Sequence, residues 1–192
     1  MIIKCISKIA KELPESTPVS LDNFENKIKY DVEVNKYYVV YGMTISSKYI
    51  HYYLNDPSRI YYPWEYPGFL FEVVDGRFSK YWNFTSVYDS WTMQHRTLWM
   101  YPEWVEDRFH YGRLIDKYEQ DVQVFKKYQF LMNLEFPNPS VELSAEALDE
   151  EWLFCKDCID AWQSTTDDGM VICPKCKKMM HNPRHTSILN IS

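Results

Sequence analysis

The sequence of 192 residues, 46% hydrophobic and 25% charged, has the composition of a globular protein, which excludes a disordered or fibrous chain. No apolar run approaches the roughly 18 residues needed to span a bilayer, so no integral membrane protein is expected. The formal net charge is −6, with −7 on residues 1–151 and +1 on residues 152–192. Nucleic-acid binding needs clustered cations, so the acidic first part is a poor candidate for it and favours a basic protein partner.

The N-terminal segment reads MIIKCISKIAKEL. Lysines interrupt its apolar residues and no small-residue cleavage site follows, so it is not expected to be a signal peptide. Ile2, Ile6, Ile9 and Leu13 recur at helical spacing and predict a short amphipathic helix, with Cys5 as a buried, inert thiol near its apolar face. With no indication of export, we expect a cytoplasmic protein.

Two segments rich in β-branched and aromatic residues, 36–45 (KYYVVYGMTI) and 48–54 (KYIHYYL), predict strands. Residues 69–84 (FLFEVVDGRFSKYWNF) have the pattern of a β-hairpin, with Asp75 and Gly76 as its two-residue turn. This segment is therefore expected to form two neighbouring strands of an antiparallel sheet.

Between these strands lies the aromatic loop, residues 61–68 (YYPWEYPG), whose two prolines restrict the backbone. Tyrosine and tryptophan bury large areas at interfaces while satisfying a polar atom, and a rigid loop loses little entropy on docking. We therefore predict a partner-binding surface here. The alternative is that the rings close the open end of the sheet core. The predicted contact residues are Tyr61, Tyr62, Trp64 and Tyr66.

From Pro102 the hydrophobic period changes from that of strands to that of helices. Residues 102–112 (PEWVEDRFHYG) predict a short helix ending at Gly112. One face of a long helix follows. Residues 1–136 are thus expected to form an α+β domain, an antiparallel sheet of four or five strands with helices on one face. The residues of the long helical face are Leu114, Tyr118, Val122, Phe125, Tyr128 and Met132.

A composition change marks a second domain. All sixteen tyrosines lie between Tyr30 and Tyr128. Pro137 and Pro139 interrupt regular structure at the seam. Residues 144–192 are expected to hold a short helix, capped by Ser144, and a small metal-binding module.

Two C-x-x-C pairs, Cys155 with Cys158 and Cys173 with Cys176, contain four of the five cysteines in the chain. Pairs at this separation are typical of a zinc site, because Zn²⁺ prefers four tetrahedral ligands and binds thiolates well. A hairpin turning at residues 167–169 is expected to bring the pairs together. A disulfide or thioredoxin-like pair fits less well, since nothing indicates an oxidising compartment or a βαβ unit. We predict a structural Zn²⁺, without an open position for hydrolytic chemistry.

Two histidines and a group of cations surround the second pair. His181 has zinc-competent spacing with His185 and is able to replace a cysteine, but four sulfurs already saturate the metal, so both are expected to be exposed tail residues. The cations either balance the charged metal site or form a small nucleic-acid patch. They are Lys175, Lys177, Lys178 and Arg184.

The C-terminal module resembles the zinc ribbon in its four cysteines and in Pro174. Ribbons often have glycine after the last cysteine, where this chain has Lys177. The resemblance implies a structural zinc module, and zinc ribbons occur in RNA enzymes, transcription proteins and structural appendages alike.

No catalytic residue is predicted. The chain has only five glycines and no phosphate-binding loop, metalloprotease or hydrolase motif. His51, His95 and His110 are expected to be core or surface residues. A buried histidine–carboxylate pair in the structure would favour an enzyme.

Residues 30–85, including KYYVVYGMTI and YYPWEYPGFLFEVVDGRFSKYW, resemble the immunity proteins of bacterial polymorphic and contact-dependent toxin systems. The resemblance implies a cytosolic, non-catalytic protein that binds one toxin domain and neutralises it. Many such toxins are nucleases with basic surfaces, which agrees with the acidic first domain. The alternatives are a zinc-ribbon nucleic-acid-binding protein and an enzyme of unrecognised type.

Overall fold

The computed structural model describes residues 1–9, 29–45, 50–56, 58–89 and 94–185. It has an α+β architecture with antiparallel sheets and few helices. The chain forms two compact units, Met1–Gln129 and Phe130–Ser192. The division falls inside a helix and not at the predicted seam of Pro137 and Pro139.

The strands of the first unit form two antiparallel sheets. A three-stranded sheet has the order β2-β1-β6, and a five-stranded sheet has the order β5-β4-β3-β8-β7. A 3₁₀ turn at Gly68–Leu70 joins β5 to β6. The strands are β1 (Ile2–Cys5), β2 (Tyr37–Val39), β3 (Gly42–Ile45), β4 (Ile50–Leu54), β5 (Trp64–Pro67), β6 (Phe71–Asp75), β7 (Asn83–Asp89) and β8 (Gln94–Met100).

The strands expected from residues 36–45 and 48–54 are confirmed as β2, β3 and β4. The N-terminal helix is wrong in the described part, because β1 is the central strand of the three-stranded sheet. Ile2 and Ile3 are both buried, so apolar residues point to both faces and helical spacing is fortuitous. Cys5 is buried as expected, and burial raises the pKa of its thiol. The helical position Leu13 lies outside the described residues.

The hairpin expected at Asp75 and Gly76 is also wrong. β6 pairs with β1, and β7 pairs with β8. A type I′ turn needs positive φ at both central residues, but none of the glycines has one. Instead the buried Asp75 carboxylate accepts hydrogen bonds from the Arg77 backbone N–H (3.1 Å) and guanidinium Nε (3.0 Å). This local turn replaces the hairpin.

Three helices follow the sheets: α1 (Pro102–Glu106), α2 (His110–Ile115) and α3 (Glu119–Glu135). Residues 102–135 therefore form three helices where two were predicted. Asp107 separates α1 from α2 by accepting a hydrogen bond from the Phe109 N–H at 2.9 Å.

The predicted long helix is interrupted between α2 and α3. Lys117 adopts a left-handed φ of 60°, and the Tyr118 N–H bonds back to the Arg113 carbonyl at 2.9 Å, a typical helix end. Tyr118, expected on the buried face, is 58% exposed as a result. The other five residues of that face are buried: Leu114, Val122, Phe125, Tyr128 and Met132.

Aromatic rings fill much of the core of the first unit. The ring of Phe71 lies edge-on to three tyrosines, with centroids 6.1–6.5 Å apart. Such edge-to-face pairs stabilise by about 0.5–1.5 kcal/mol beyond their buried area. The three partners are Tyr38, Tyr52 and Tyr66, and all are buried.

The second unit contains two small sheets, ordered β11-β10-β9 and β12-β13. The capping helix expected after Ser144 is wrong. The Asp149 carboxylate accepts hydrogen bonds from the N–H groups of Glu151 and Trp152 at 2.8 Å, which turns the chain so that β9 pairs with β10. The strands are β9 (Glu146–Ala147), β10 (Trp152–Cys155), β11 (Asp160–Gln163), β12 (Met170–Ile172) and β13 (Met179–His181). Among the described residues no helix has the length and apolarity to cross a membrane.

Gly42 provides a test of how tightly the first unit is packed. A Cβ there would lie 2.1 Å from Sδ of the fully buried Met100 and 3.3 Å from the Trp99 carbonyl. We expect Gly42→Ala to lower the free energy of unfolding by about 1–3 kcal/mol through overpacking, measured by urea denaturation. The control is Gly76→Ala, whose Cβ meets nothing closer than 3.5 Å and which should be neutral or stabilising. Equal effects of the two substitutions would contradict this.

Candidate metal centre and aromatic loop

Each cysteine pair lies at the end of its own hairpin. Cys155 and Cys158 flank the turn between β10 and β11, and Cys173 and Cys176 lie in the connection between β12 and β13. The expected hairpin at residues 167–169 is therefore wrong, because β11 and β12 each pair within their own sheet. Two short hairpins bring the pairs together instead of one longer hairpin between them.

The four sulfur atoms converge as tetrahedral metal ligands do. The Sγ atoms of Cys155 and Cys176 are 3.8 Å apart, those of Cys158 and Cys173 are 3.5 Å apart, and all four lie within 4.8 Å of one another. With metal–sulfur bonds of about 2.3 Å, the edge of a tetrahedron is about 3.8 Å. A disulfide needs about 2.05 Å, and all these cysteines are free thiols. The group could hold a metal ion.

The electrostatics of the cluster are compatible with a bound cation. Burial opposes ionisation of Cys173, but the backbone N–H groups of Cys176 and Lys175 donate to its sulfur and lower its pKa to about 7. Burial and the neighbouring sulfurs raise the pKa of Cys158 to about 12. The first thiolate therefore forms readily and further ones repel it. A bound metal ion removes that repulsion, and its ligands are deprotonated when it binds.

The connection between the hairpins is held by one buried side chain. Asn182, 4% exposed, donates its amide hydrogens to the carbonyls of Thr166 (3.0 Å) and Asp168 (2.8 Å). Its side-chain oxygen accepts a hydrogen bond from the Arg184 N–H at 3.1 Å. A satisfied buried amide fixes this connection where no regular pairing is available.

The cations predicted around the second pair are largely engaged within the unit. Lys178 pairs with Asp157 at 2.6 Å, and Lys175 donates to the Cys158 carbonyl at 3.1 Å. The Arg184 guanidinium donates to three backbone carbonyls, at 2.5–2.9 Å. Those carbonyls belong to Ser164, Asp149 and Trp152. Arg184 thus stabilises the fold, and the cluster offers a nucleic acid fewer charges than its sequence indicates.

The two histidines lie apart from the sulfur cluster. His181 Nε2 is 2.8 Å from the Val141 carbonyl, and His185 Nδ1 is 2.8 Å from the Asp167 carbonyl, so each ring donates to the backbone. Both side chains are half-buried, whereas exposed ones were expected. In the described residues, the group that could hold a metal ion contains only the four cysteines.

The residue after each cysteine pair has a left-handed backbone. Ile159 has a φ of 53° and Lys177 a φ of 61°. Glycine adopts this conformation without cost, so the chain reaches at Lys177 the geometry for which the ribbon pattern often uses glycine. Ile159 is more strained because a β-branched side chain rarely takes positive φ, and it is 79% exposed.

Ile159→Gly should therefore stabilise the second unit. Relief of a strained left-handed backbone is of order 1–3 kcal/mol and the added unfolded-state entropy offsets part of it, leaving a gain of about 1 kcal/mol. Thermal unfolding of the purified protein measures the change. Ile159→Ala is the matched control, since it removes the exposed side chain but keeps Cβ. A glycine variant no more stable than the alanine variant would show that the backbone is not strained.

The aromatic loop divides into exposed and buried rings. Tyr61 is 43% exposed, Trp64 is 39% exposed and Tyr62 is half-buried. Tyr66 is 1% exposed, and its hydroxyl donates to the buried Asp56 carboxylate, which also pairs with Arg59 at 2.6 Å. Tyr66 is therefore a core residue, and the predicted contact surface is reduced to the other three rings.

Cations lie against the exposed rings. The Arg59 guanidinium is 4.8 Å from the centre of the Trp64 ring, and Lys117 Nζ is 5.3 Å from that of Tyr61. The Tyr62 and Trp64 rings are 6.2 Å apart. Trp64 begins β5, an edge strand of the five-stranded sheet, so these rings lie beside an edge of that sheet.

A buried histidine network joins the three helices and was not predicted. His110, 2% exposed, is 2.8 Å from the Tyr101 hydroxyl through Nε2 and 2.6 Å from Asp121 through Nδ1. Arg113 bonds to both Asp121 oxygens and lowers the pKa of that carboxyl. No sequence motif links positions this far apart, so only the fold reveals them.

This network is the histidine–carboxylate pair that would favour an enzyme, and it borders an open cavity of about 580 Å³. Its burial opposes that role. His110 is 2% exposed, and Tyr101, the partner of its Nε2, is fully buried, where burial raises the pKa of the hydroxyl. A nucleophile or general base has to come within hydrogen-bond reach of its substrate, and a fully buried hydroxyl does not. The network holds Tyr101, α2 and α3 together.

Comparison of the chain with protein-family models, curated proteins and solved structures found no match.

Proposed function

We propose first that Cys155, Cys158, Cys173 and Cys176 bind one structural Zn²⁺ in a zinc-ribbon-like module. The observation that supports this is the spacing of the four sulfurs, close to the edge of a zinc–thiolate tetrahedron. Four sulfur ligands fill the coordination sphere, so the ion has no position for a catalytic water. A reduced site of this kind agrees with a cytoplasmic protein.

The metal proposal predicts one zinc ion per chain in the purified protein. Cys173→Ser should lose the ion and, with it, the folded structure of the second unit, because the binding free energy of such sites is folding free energy. Metal analysis and near-ultraviolet circular dichroism measure the two effects. Cys5→Ala, which removes the cysteine outside the cluster, should retain the metal. Full zinc content in Cys173→Ser, or none in the unaltered chain, would contradict the assignment.

We propose second that the chain is a non-catalytic binding protein of the immunity type, which binds a cognate toxin domain and neutralises it. The supporting observation is the exposure of Tyr61 and Trp64, which lie just before and at the start of edge strand β5, on either side of Pro63. The acidic net charge of residues 1–151 favours a basic toxin through faster encounter. Next to the rings, however, Lys117 favours a carboxylate or carbonyl group in the segment that docks there, whereas Arg59 is already paired with Asp56.

The two alternatives have less support. A nucleic-acid-binding ribbon needs free cations, and Lys178 and Arg184 are engaged by protein groups. An enzyme is favoured by the His110–Asp121 pair, but the Tyr101 hydroxyl that its imidazole contacts is fully buried.

Trp64→Ala tests the binding surface. In co-expression with the product of the adjacent gene, the unaltered chain should copurify with that product and relieve its toxicity. Trp64→Ala should weaken the complex by about 30- to 1,000-fold, the range expected for an aromatic hot spot costing about 2–4 kcal/mol. Phe109→Ala, at a 60% exposed ring outside the loop, should leave affinity unchanged. Absence of copurification would reject the immunity role, and equal affinities would reject this surface.

A further inference from the structure

The second edge of the five-stranded sheet, β7, has the features of an interface strand. β7 pairs with β8 through seven consecutive residues without a bulge, from Asn83 to Asp89. In the part of the chain that the structure describes, no strand pairs with its other side. A long, regular edge presents a row of backbone groups suited to pairing with another chain.

Protein edges are normally protected by proline, lysine, bulges or short length, and the other edge of this sheet illustrates this. β5 has only four residues, with Pro67 at its end and Pro63 just before it. β7 is nearly twice as long, and its segment 84–88 (FTSVY) contains no proline, glycine or charged residue. The two edges of one sheet thus differ in the protection that would keep a chain monomeric.

Apolar side chains on β7 face solvent on both sides of the sheet. Phe84 is 66% exposed, Tyr88 is 52% exposed and Val87 is 42% exposed. Because side chains alternate along a strand, Phe84 and Tyr88 lie on one face and Val87 on the other. An edge that is apolar on both faces gains buried area on each when a further strand is added.

We propose that β7 pairs with β7 of a second copy of this chain, antiparallel, about a two-fold axis at Ser86. In this register Phe84 of each copy lies opposite Tyr88 of the other, and Thr85 lies opposite Val87. The aromatic and the β-branched pairs are both among those that stabilise sheets. No like charges meet within 84–88, and Ser86 lies opposite its own counterpart.

Self-pairing selects a second copy over an unrelated strand because the segment matches itself on both faces in one register. It also produces a continuous ten-stranded sheet whose two outer edges are the β5 strands. The aromatic loop therefore stays accessible in each copy, and the dimer does not depend on the function proposed for that loop.

Cysteine crosslinking tests the register. Paired residues in an antiparallel sheet have Cα atoms about 4.5–5.5 Å apart, within the range a disulfide bridges. Ser86→Cys in the zinc-loaded full chain should therefore form a disulfide-linked dimer under mild oxidation. Thr85→Cys is the matched control, since it lies diagonal to itself at about 7–8 Å and should crosslink at least tenfold less. Mixed with Val87→Cys, Thr85→Cys should crosslink as well as Ser86→Cys does.

Sedimentation tests the association itself. The unaltered chain should sediment at twice 23.2 kDa, and Val87→Lys, which places a protecting charge on the edge, should shift it to 23.2 kDa with unchanged circular dichroism. A chain that stays monomeric at about 100 µM, a concentration at which even weak dimers form, would overturn the proposal. Equal crosslinking of Ser86→Cys and Thr85→Cys would overturn it as well.

Discussion

Convergence of four thiols is the interaction on which the second unit depends. Its buried core cluster has six residues: Ala145, Leu153, Cys155, Val171, Cys173 and Met180. Two of these, Cys155 and Cys173, are themselves proposed metal ligands, so the proposed metal site is part of the core. Small units bury a limited apolar area, and metals or disulfides often add to their stability. Under the zinc proposal, the bound ion contributes what a larger hydrophobic core contributes elsewhere.

The first unit is stabilised differently, by aromatic packing and buried ion pairs. Tyr66 shows the connection between these two, because its ring contacts Phe71 in the core while its hydroxyl bonds to Asp56. Hydrogen bonds from Ser58, Tyr66 and Arg59 overcome the burial of Asp56 and lower the pKa of its carboxyl. The carboxylate stays ionised well below neutral pH, and its contribution to stability is lost only when acid protonates it.

Local chemistry was the most predictable part of this protein. The cysteine spacing predicted that the four thiols converge, because two residues between thiols fix a single tight turn. The strands rich in β-branched and aromatic residues were also predicted correctly, since these residue types favour the extended backbone of a sheet. Pairing was less predictable: Ile2, Ile6 and Ile9 recur at helical spacing, yet Ile2 and Ile3 lie in a strand that is buried on both faces. Only the sheet around them decides between the two.

The errors in turns have a common cause in side-chain hydrogen bonds. Asp75 and Asp149 each capture nearby backbone N–H groups, and these contacts override the hairpin and the helix that residue preferences favour. The break before α3 depends on the left-handed backbone of Lys117, and a lysine in the sequence does not indicate that conformation. The His110–Asp121 contact joins residues on different helices, beyond the reach of any periodicity.

The division of the sulfurs between two hairpins has a consequence for the protein inside a cell. Neither hairpin alone supplies more than two ligands, so a half-formed site holds the ion weakly and the ion's full affinity appears only when both are in place. Under the zinc proposal, the free energy of unfolding of the C-terminal module rises by about 1.4 kcal/mol for each tenfold increase of the free ion above the dissociation constant. The fraction of chains with an intact module therefore follows the free concentration of the ion. Metal limitation would loosen this module first and leave the aromatic-rich sheets intact.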